Sequence, residues 1–384
     1  MGYEFTTEDV RYLSHAAADL TEVDRLDLSP STHLADIGRV RARFGDRSGA
    51  LVETVLLRRR AEGKLAERDW LLTDDALQQA TPTVVARHRA ARLAGRDVHD
   101  VTCSVGADLS ALVGVAGAVL GSDLDPVRTA MAARNVPGAT VIRADALVPC
   151  SRGTVVLADP ARRSGGKRRH DPAALMPPLP DLLEVYAGRD IAVKCAPGLD
   201  YDKLGWGGEV EIVSLSGGVR EACLWSPGLA DAGVRRRATV LDADGGGWEI
   251  TDAEPDDIPE REPGEWIVDP DGAVVRAGLV RHYAARHGLW QLDPRIAYLT
   301  GDAVPDGVRG FRILAQLKYS EKALKQELAR LDCGVAEILV RGLDVDPAVL
   351  RPRLKLRGSR SLSVVLTRIG RTPTAFVCEP GTRA

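Results

Sequence analysis

From Val98 onward the chain falls into short apolar runs, VHDVTC, VAGAVLGSDL, ATVIRAD, GTVVLADP, DIAVKCAPG, VEIVSLSGG and EACLWSP, separated by stretches with helical spacing. Runs that are apolar at nearly every position suit strands covered on both faces. With DPVRTAMAARN as a connecting helix, they predict a doubly wound α/β domain with a largely parallel sheet over residues 96–230. The intervals are too short for the full helices of a TIM barrel.

The flanks have other rhythms. Residues 1–95 read as a helical region: Thr7 as a cap ahead of Val10, Leu13, Ala17 and Leu20, then GALVETVLLRRRAEGKLA and TPTVVARHRAARLAG, with apolar residues three and four apart. Residues 231–310 read as a connector, with a hairpin around Gly245-Gly246-Gly247 and a helix in AGLVRHYAARHGL. Over 311–384, FRILAQL alternates Phe311, Ile313, Ala315 and Leu317 on one face, and Ser320 stands as the cap of a helix with Leu324, Leu328 and Leu331 on one stripe. With AEILVRG and SLSVVLTRIG as strands, this end is a small α+β module.

A net charge of −3 over 384 residues excludes binding of polyanions by bulk charge, so any such contact must come from local patches. The six cysteines form no CxxC pair, and His88, His282 and His287 have no ligand spacing; no metal is expected. The N-terminus carries no secretory pattern, and no apolar segment reaches the roughly 18 residues of a membrane span. The expected location is the cytoplasm, with no membrane partner.

Ligands of doubly wound sheets bind at the carboxyl ends of the strands. Four such ends are polar here: DVTCSVGADL, with Thr102, Ser104 and Gly106 in a turn; GSDLDP, ending in Asp123; IRADAL, with Asp145; and VLADPAR, with Asp159. A nucleoside cofactor explains the set. Gly106 lets backbone approach a ligand, Asp123 accepts from ribose hydroxyls and Asp145 from an adenine amine. Asp125 reads as the cap of the helix beginning at Pro126. The turn lacks G-x-G-x-x-G, which disfavours a dinucleotide and leaves S-adenosylmethionine as the better fit.

Behind Asp159-Pro160 follow Arg162, Arg163, Lys167, Arg168 and Arg169, a basic run at the mouth of the same site. A second run, RPRLKLRGSR, presents Arg351, Arg353, Lys355, Arg357 and Arg360; its alternating spacing suits one cationic sheet edge, for RNA contact or for blocking edge pairing. Lys194 interrupts the apolar strand IAVKCA, either to reach solvent at its end or to serve the site.

These segments resemble the Rossmann-like, class I, S-adenosylmethionine-dependent methyltransferases, most closely the bacterial group with a C-terminal THUMP-like domain. The likeness rests on VTCSVGADL, LGSDLDPVRTAMAARN, RADAL, ADPARR, VKCAPGLDYDKL, VSLSGGVREACLW and the tail from LVRHYAARHGL, and covers about residues 75–380. It implies that WLLTDDALQQATPTVVARHRA is the helical lead-in, with Gln79 and Thr81 near the cofactor. It also implies methyl transfer to RNA, a tRNA or rRNA base nitrogen, with Asp159, Pro160 and Arg162 at the acceptor. Arg163, Lys167, Arg168, Arg169, Arg353, Lys355, Arg357 and Arg360 would hold the RNA. Two departures stand out: Ser104 and Ala107 replace glycines of many relatives, and D-P-A-R replaces a D/N-P-P-aromatic motif, removing a stacking platform. A non-catalytic RNA-binding protein that keeps the fold is the alternative, and a dehydrogenase a third.

Overall fold

The structure, a computed structural model, describes residues 3–67, 69–162 and 175–383. It comprises two units: Met1–Val210 with Glu221–Asp231 and Leu241–Gly246, and Glu211–Arg220 with Ala232–Val240 and Gly247–Ala384.

In the first unit, helices Thr7–Leu13, Ala17–Asp24, His33–Phe44, Ser48–Ala61, Asp74–Gln79 and Thr83–Arg92 precede the sheet. Thr6 rather than Thr7 caps the first helix. Its hydroxyl accepts from the Asp9 N–H at 3.1 Å while the Asp9 carboxylate accepts from the Thr6 N–H at 3.0 Å, a reciprocal pair available only to the residue three before Asp9. Leu13 and Leu20 lie on separate helices and both bury. They join Leu51, Leu71 and Leu72 in one core with Val98, Leu109, Met131, Leu157 and Trp225. The helical segment therefore shares the hydrophobic core of the sheet, at about 1.5–3 kcal/mol per fully buried leucine.

The sheet of this unit runs Thr140–Arg143, Val119–Asp123, Val98–Asp100, Val155–Ala158 and Ile191–Cys195, all parallel, then, antiparallel, residues Ala222–Trp225 of strand Gly218–Trp225. Parallel neighbours need crossovers. Ala107–Leu112, Pro126–Asn135 and Leu179–Val185 supply them. The order reverses at Val98–Asp100 and Val155–Ala158, so the chain leaves these two strands in opposite directions and opens a crevice at their carboxyl ends. Gly218–Trp225 returns from Glu209–Leu215 through Ser216 and Gly217, with φ of 53° and 77°, as a two-residue hairpin matched to strand twist requires.

The second unit is built on a sheet in the order Trp290–Gln291, Leu299–Gly301, Trp266–Asp269, Arg309–Lys318, Thr372–Cys378, Arg360–Ile369 and Cys333–Val340. Ser320 caps helix Glu321–Arg330, accepting from the Ala323 N–H at 3.2 Å, and Leu324 and Leu328 are fully buried. The expected one-face alternation of Phe311, Ile313, Ala315 and Leu317, which lie on strand Arg309–Lys318, does not hold. Its register slips between Ile313 and Ala315, so Ile313 packs with Phe311 and Phe376 while Leu314, Ala315 and Leu317 pack with Leu324 and Leu328. One inserted residue turns every later side chain to the other face.

The expected cationic edge is also corrected. Arg351 and Arg353 lie on helix Pro347–Leu354, capped by Asp346 through the Ala348 N–H at 2.7 Å, and Lys355 ends it with φ 49°. Leu350 and Leu354, four apart, are the buried pair, so the run has helical period. Arg360 opens a strand flanked on both sides, not an edge. Among the described residues no helix is long and apolar enough to cross a membrane.

Candidate active site

At the carboxyl ends of the first unit's strands lies a cavity of about 400 Å³, lined among others by Gln79, Thr81, Thr102, Ser104, Asp123, Asp145 and Asp159. That volume lies within the range of about 300–1,000 Å³ typical of small-molecule sites. All seven are residues that the strand ends or the family likeness singled out.

Backbone donors set the carboxylates. Asp123 accepts from the Ser104 N–H at 3.0 Å and from the Asp125 N–H at 2.9 Å, bracing a loop in which Ser104 holds φ 49°. Asp125 takes the capping role, accepting from the Val127 and Arg128 N–H groups at 2.7 and 3.2 Å. Asp145, exposed, accepts from the Leu147 N–H at 2.9 Å, and Gln79 donates to Asp75 at 2.8 Å. Thr102 donates its N–H to Asp100 at 3.1 Å and accepts the Asp159 N–H on its hydroxyl at 2.6 Å, joining the first and fourth strand ends. Gly106 does not line the cavity. Its φ is 93°, and a Cβ there would meet Val136 at 2.9 Å, so close packing and left-handed backbone require glycine.

Beneath the cavity runs a chain of charges. Lys194, 6% exposed, donates to Asp159, reaches the Thr81 hydroxyl at 2.5 Å and lies 3.5 Å from Asp108. Thr81 donates to Asp108 at 3.0 Å, and Arg89 bridges Asp108 and Glu221. Burial opposes the Lys194 charge, but Asp159 and Asp108 outweigh it and hold the ammonium above the usual lysine range. Burial likewise pushes the Asp108 carboxyl up, yet Arg89 and Lys194 hold it below the usual range. Asp100 differs: burial, reinforced by Asp108, pushes its carboxyl up to about 8. Of the two expectations for Lys194, the solvent-reaching one is thus excluded.

Asp100, Asp108, Arg89 and Glu221 were not singled out from the sequence. Asp100 ends a strand as Asp123 does, and the same rule would have found it; nothing in local spacing marks the other three. Pro160 is buried and does not line the cavity. The Arg162 backbone pairs with Leu175 in a two-residue strand; its side chain, like Arg163, Lys167, Arg168 and Arg169, lies outside the described residues. In the second unit, Arg353 pairs with Glu321 at 3.1 Å, and Lys355, Arg357 and Arg360 are exposed. Among the described residues no cluster of three or more histidine, cysteine or acidic side chains is placed to hold a metal.

Residues 308–380 match a family described as THUMP domain-like. Two Mycobacterium tuberculosis proteins, from strains CDC 1551 / Oshkosh and ATCC 25618 / H37Rv, are each 59% identical over 359 residues, covering 89% of this chain and 99% of theirs; both are named as uncharacterized S-adenosylmethionine-dependent methyltransferases. A crystal structure of a candidate methyltransferase from Porphyromonas gingivalis W83 has the same fold over 100% of both chains, with a TM-score of 0.70 at 20% identity. The crevice at a strand-order reversal, the acids at successive strand ends and this full-length likeness agree: the chain belongs to the Rossmann-like S-adenosylmethionine-dependent methyltransferases with a C-terminal THUMP-like domain.

Proposed function

We propose that this methyltransferase acts on RNA, on a base nitrogen of tRNA or rRNA, with Asp159 at the acceptor. The observation that carries the reading is the charge chain beneath the cavity, which ends at Asp159 on its wall. Asp159, Asp108 and Glu221 face Lys194 and Arg89, three carboxylates against two cations, while Asp100 keeps its proton to about pH 8. Within this chain one negative charge is left over. The Asp159 side chain, 38% exposed, is where this charge opens to the cavity.

The cavity suits the cofactor. Asp123 would hold the ribose hydroxyls and Asp145 the adenine amine, with Thr102, Ser104, Gln79 and Thr81 around them and Gly106 shaping the loop. Asp100, a neutral carboxyl in the wall, would ionise against the cofactor's ammonium. When bound, the cofactor supplies a methyl group on a positively charged sulfur. Asp159 would stabilise the positive charge that the acceptor nitrogen acquires, as a carboxylate already held in place before the reaction. Pro160 and Arg162 follow it at the acceptor side.

For RNA, the support is the THUMP-like match over 308–380 and the exposed Lys355, Arg357 and Arg360, with Arg353 beside Glu321. Arg163, Lys167, Arg168 and Arg169 would add a clamp behind Asp159. The test is transfer of labelled methyl from S-adenosylmethionine to RNA from a strain lacking the gene, followed by nucleoside mass spectrometry. Affinity for that RNA is then measured across a salt series. Alanine at Lys167, Arg168 and Arg169 should lower the log–log slope by about 0.7 per lost phosphate contact on single strands. No label in RNA, with label appearing in another macromolecule, would overturn the RNA reading and leave the methyltransferase assignment standing.

A further inference from the structure

We propose that Lys194 is a positioning residue for methyl transfer: its ammonium holds the Asp159 carboxylate ionised and in one orientation at the cavity wall. The proposal rests on the reading of Asp159 as the acceptor-side group.

The geometry is that of a site built for this ammonium. A lysine ammonium has three donors, and here three acceptors meet it from three different parts of the chain: Asp159 just after strand Val155–Ala158, Thr81 just before helix Thr83–Arg92, and Asp108 on helix Ala107–Leu112. A cation placed only to fill a strand end would lie toward water with its stem along the surface. Lys194 instead is the most buried of the three charged groups: its own side chain is 7% exposed, against 11% for Asp108 and 38% for Asp159. The carboxylate is thus gripped from behind by Lys194 and at its backbone by Thr102, and remains open on the cavity side.

The groups facing Lys194 fix the direction of any pH effect. They are Asp159 and Asp108, with Asp100 on strand Val98–Asp100, Glu221 and Cys223 on Gly218–Trp225, and Arg89 on Thr83–Arg92. Arg89 already serves Asp108 and Glu221, so it cannot replace Lys194 at Asp159. Without the Lys194 charge, Asp159 would sit near Asp108 and Asp100 with no cation of its own among these groups. Like charges then favour protonation, and the carboxyl titrates at higher pH. Activity would acquire an acid limb that moves with it.

The experiment compares wild type, Lys194→Gln and Lys194→Arg. The Asp159 carboxyl is followed by carbon-13 NMR over pH 4–8, with Asp159→Asn to assign its resonance, and kcat/KM is measured over the same range with RNA from a strain lacking the gene. Calorimetry with S-adenosylmethionine shows which variants keep a folded cofactor site. The expected result is an upward shift of the Asp159 titration of about one pH unit or more in Lys194→Gln, an acid limb at the matching pH, and recovery of both in Lys194→Arg. In an Asp159→Asn background, Lys194→Gln should cost little further activity, since the two act as a pair. An unmoved Asp159 titration in a Lys194→Gln protein that binds S-adenosylmethionine overturns the proposal, as do fully additive losses. If Lys194→Gln does not fold, the same titration in Lys194→Arg decides: an Asp159 resonance that titrates well above wild type despite a retained cation counts against a simple charge role. A wild type that labels no RNA defeats the RNA reading alone, because the carboxyl titration needs no acceptor.

Discussion

Asp123→Ala is the sharpest test of the cofactor site. The structure gives this carboxylate two tasks at once. It accepts from the Ser104 and Asp125 N–H groups at 3.0 and 2.9 Å, and it lines the cavity where a ribose would bind. Hydrogen bonds to a charged group contribute about 1.5–3 kcal/mol each when shielded. Water can replace Asp123 at the exposed Asp125 N–H, so the expected loss of stability is nearer one such bond than two. On the ligand side, losing the ribose contacts should cost another ~1.5–3 kcal/mol, about 10- to 150-fold in Kd at 1.4 kcal/mol per tenfold. The assay is calorimetry with S-adenosylmethionine, with thermal denaturation on the same samples. Asp125→Ala is the control: it removes the cap of helix Pro126–Asn135, costing about 0.5–2 kcal/mol of stability, and should leave affinity near parental. Parental affinity in a folded Asp123→Ala protein would refute the ribose role and leave Asp123 a loop brace. An equal loss in Asp125→Ala would show that loop position, not a carboxylate contact, governs binding.

Three further outcomes follow from the same geometry. Asp159→Asn, which keeps an oxygen for Lys194, should fold, bind S-adenosylmethionine nearly as wild type and lose about 100- to 1,000-fold in kcat; a near-normal kcat would move the acceptor elsewhere. The Asp100 carboxyl keeps its proton in the folded chain up to about 8, whereas the unfolded chain releases it near 4. The folded state therefore binds more protons between these values, and this group's stabilisation, full below about pH 4, is lost as pH rises through about 8. Asp100→Asn should flatten that decline in urea midpoints at pH 5, 7 and 9 without cofactor, and parallel declines would refute it. Leu328→Ala, emptying a fully buried position on helix Glu321–Arg330, should cost about 2–5 kcal/mol in the melting of the second unit while calorimetry with S-adenosylmethionine stays unchanged.

What could be read from the chain alone divides by range. The strand ends were legible because a run such as VVLA, buried at all four positions, is followed at once by Asp159, and the rule that ligands meet carboxyl ends needs no tertiary detail. The bulge at Leu314 was not, since a register slip depends on what Thr372–Cys378 presents opposite. Nor was the helix at Pro347, whose basic residues two apart mimic a strand while Leu350 and Leu354 carry the true period.

The charge chain under the cavity was illegible for a different reason. Its contacts join positions 113 apart, Lys194 to Thr81, and 132 apart, Arg89 to Glu221, so no window of sequence contains them. Yet its central pair follows from one fact about topology. Strands Val155–Ala158 and Ile191–Cys195 are parallel neighbours with Ala158 opposite Val193. Advancing each by one residue sets Asp159 beside Lys194, and successive residues of a strand alternate faces, so the pair points the same way. A lysine inside an apolar strand and an acid at the end of another are each ambiguous until the strand order is known. Adjacent and in register, the acid offsets the burial of the lysine, and the cation that looked misplaced becomes the partner of the open carboxylate.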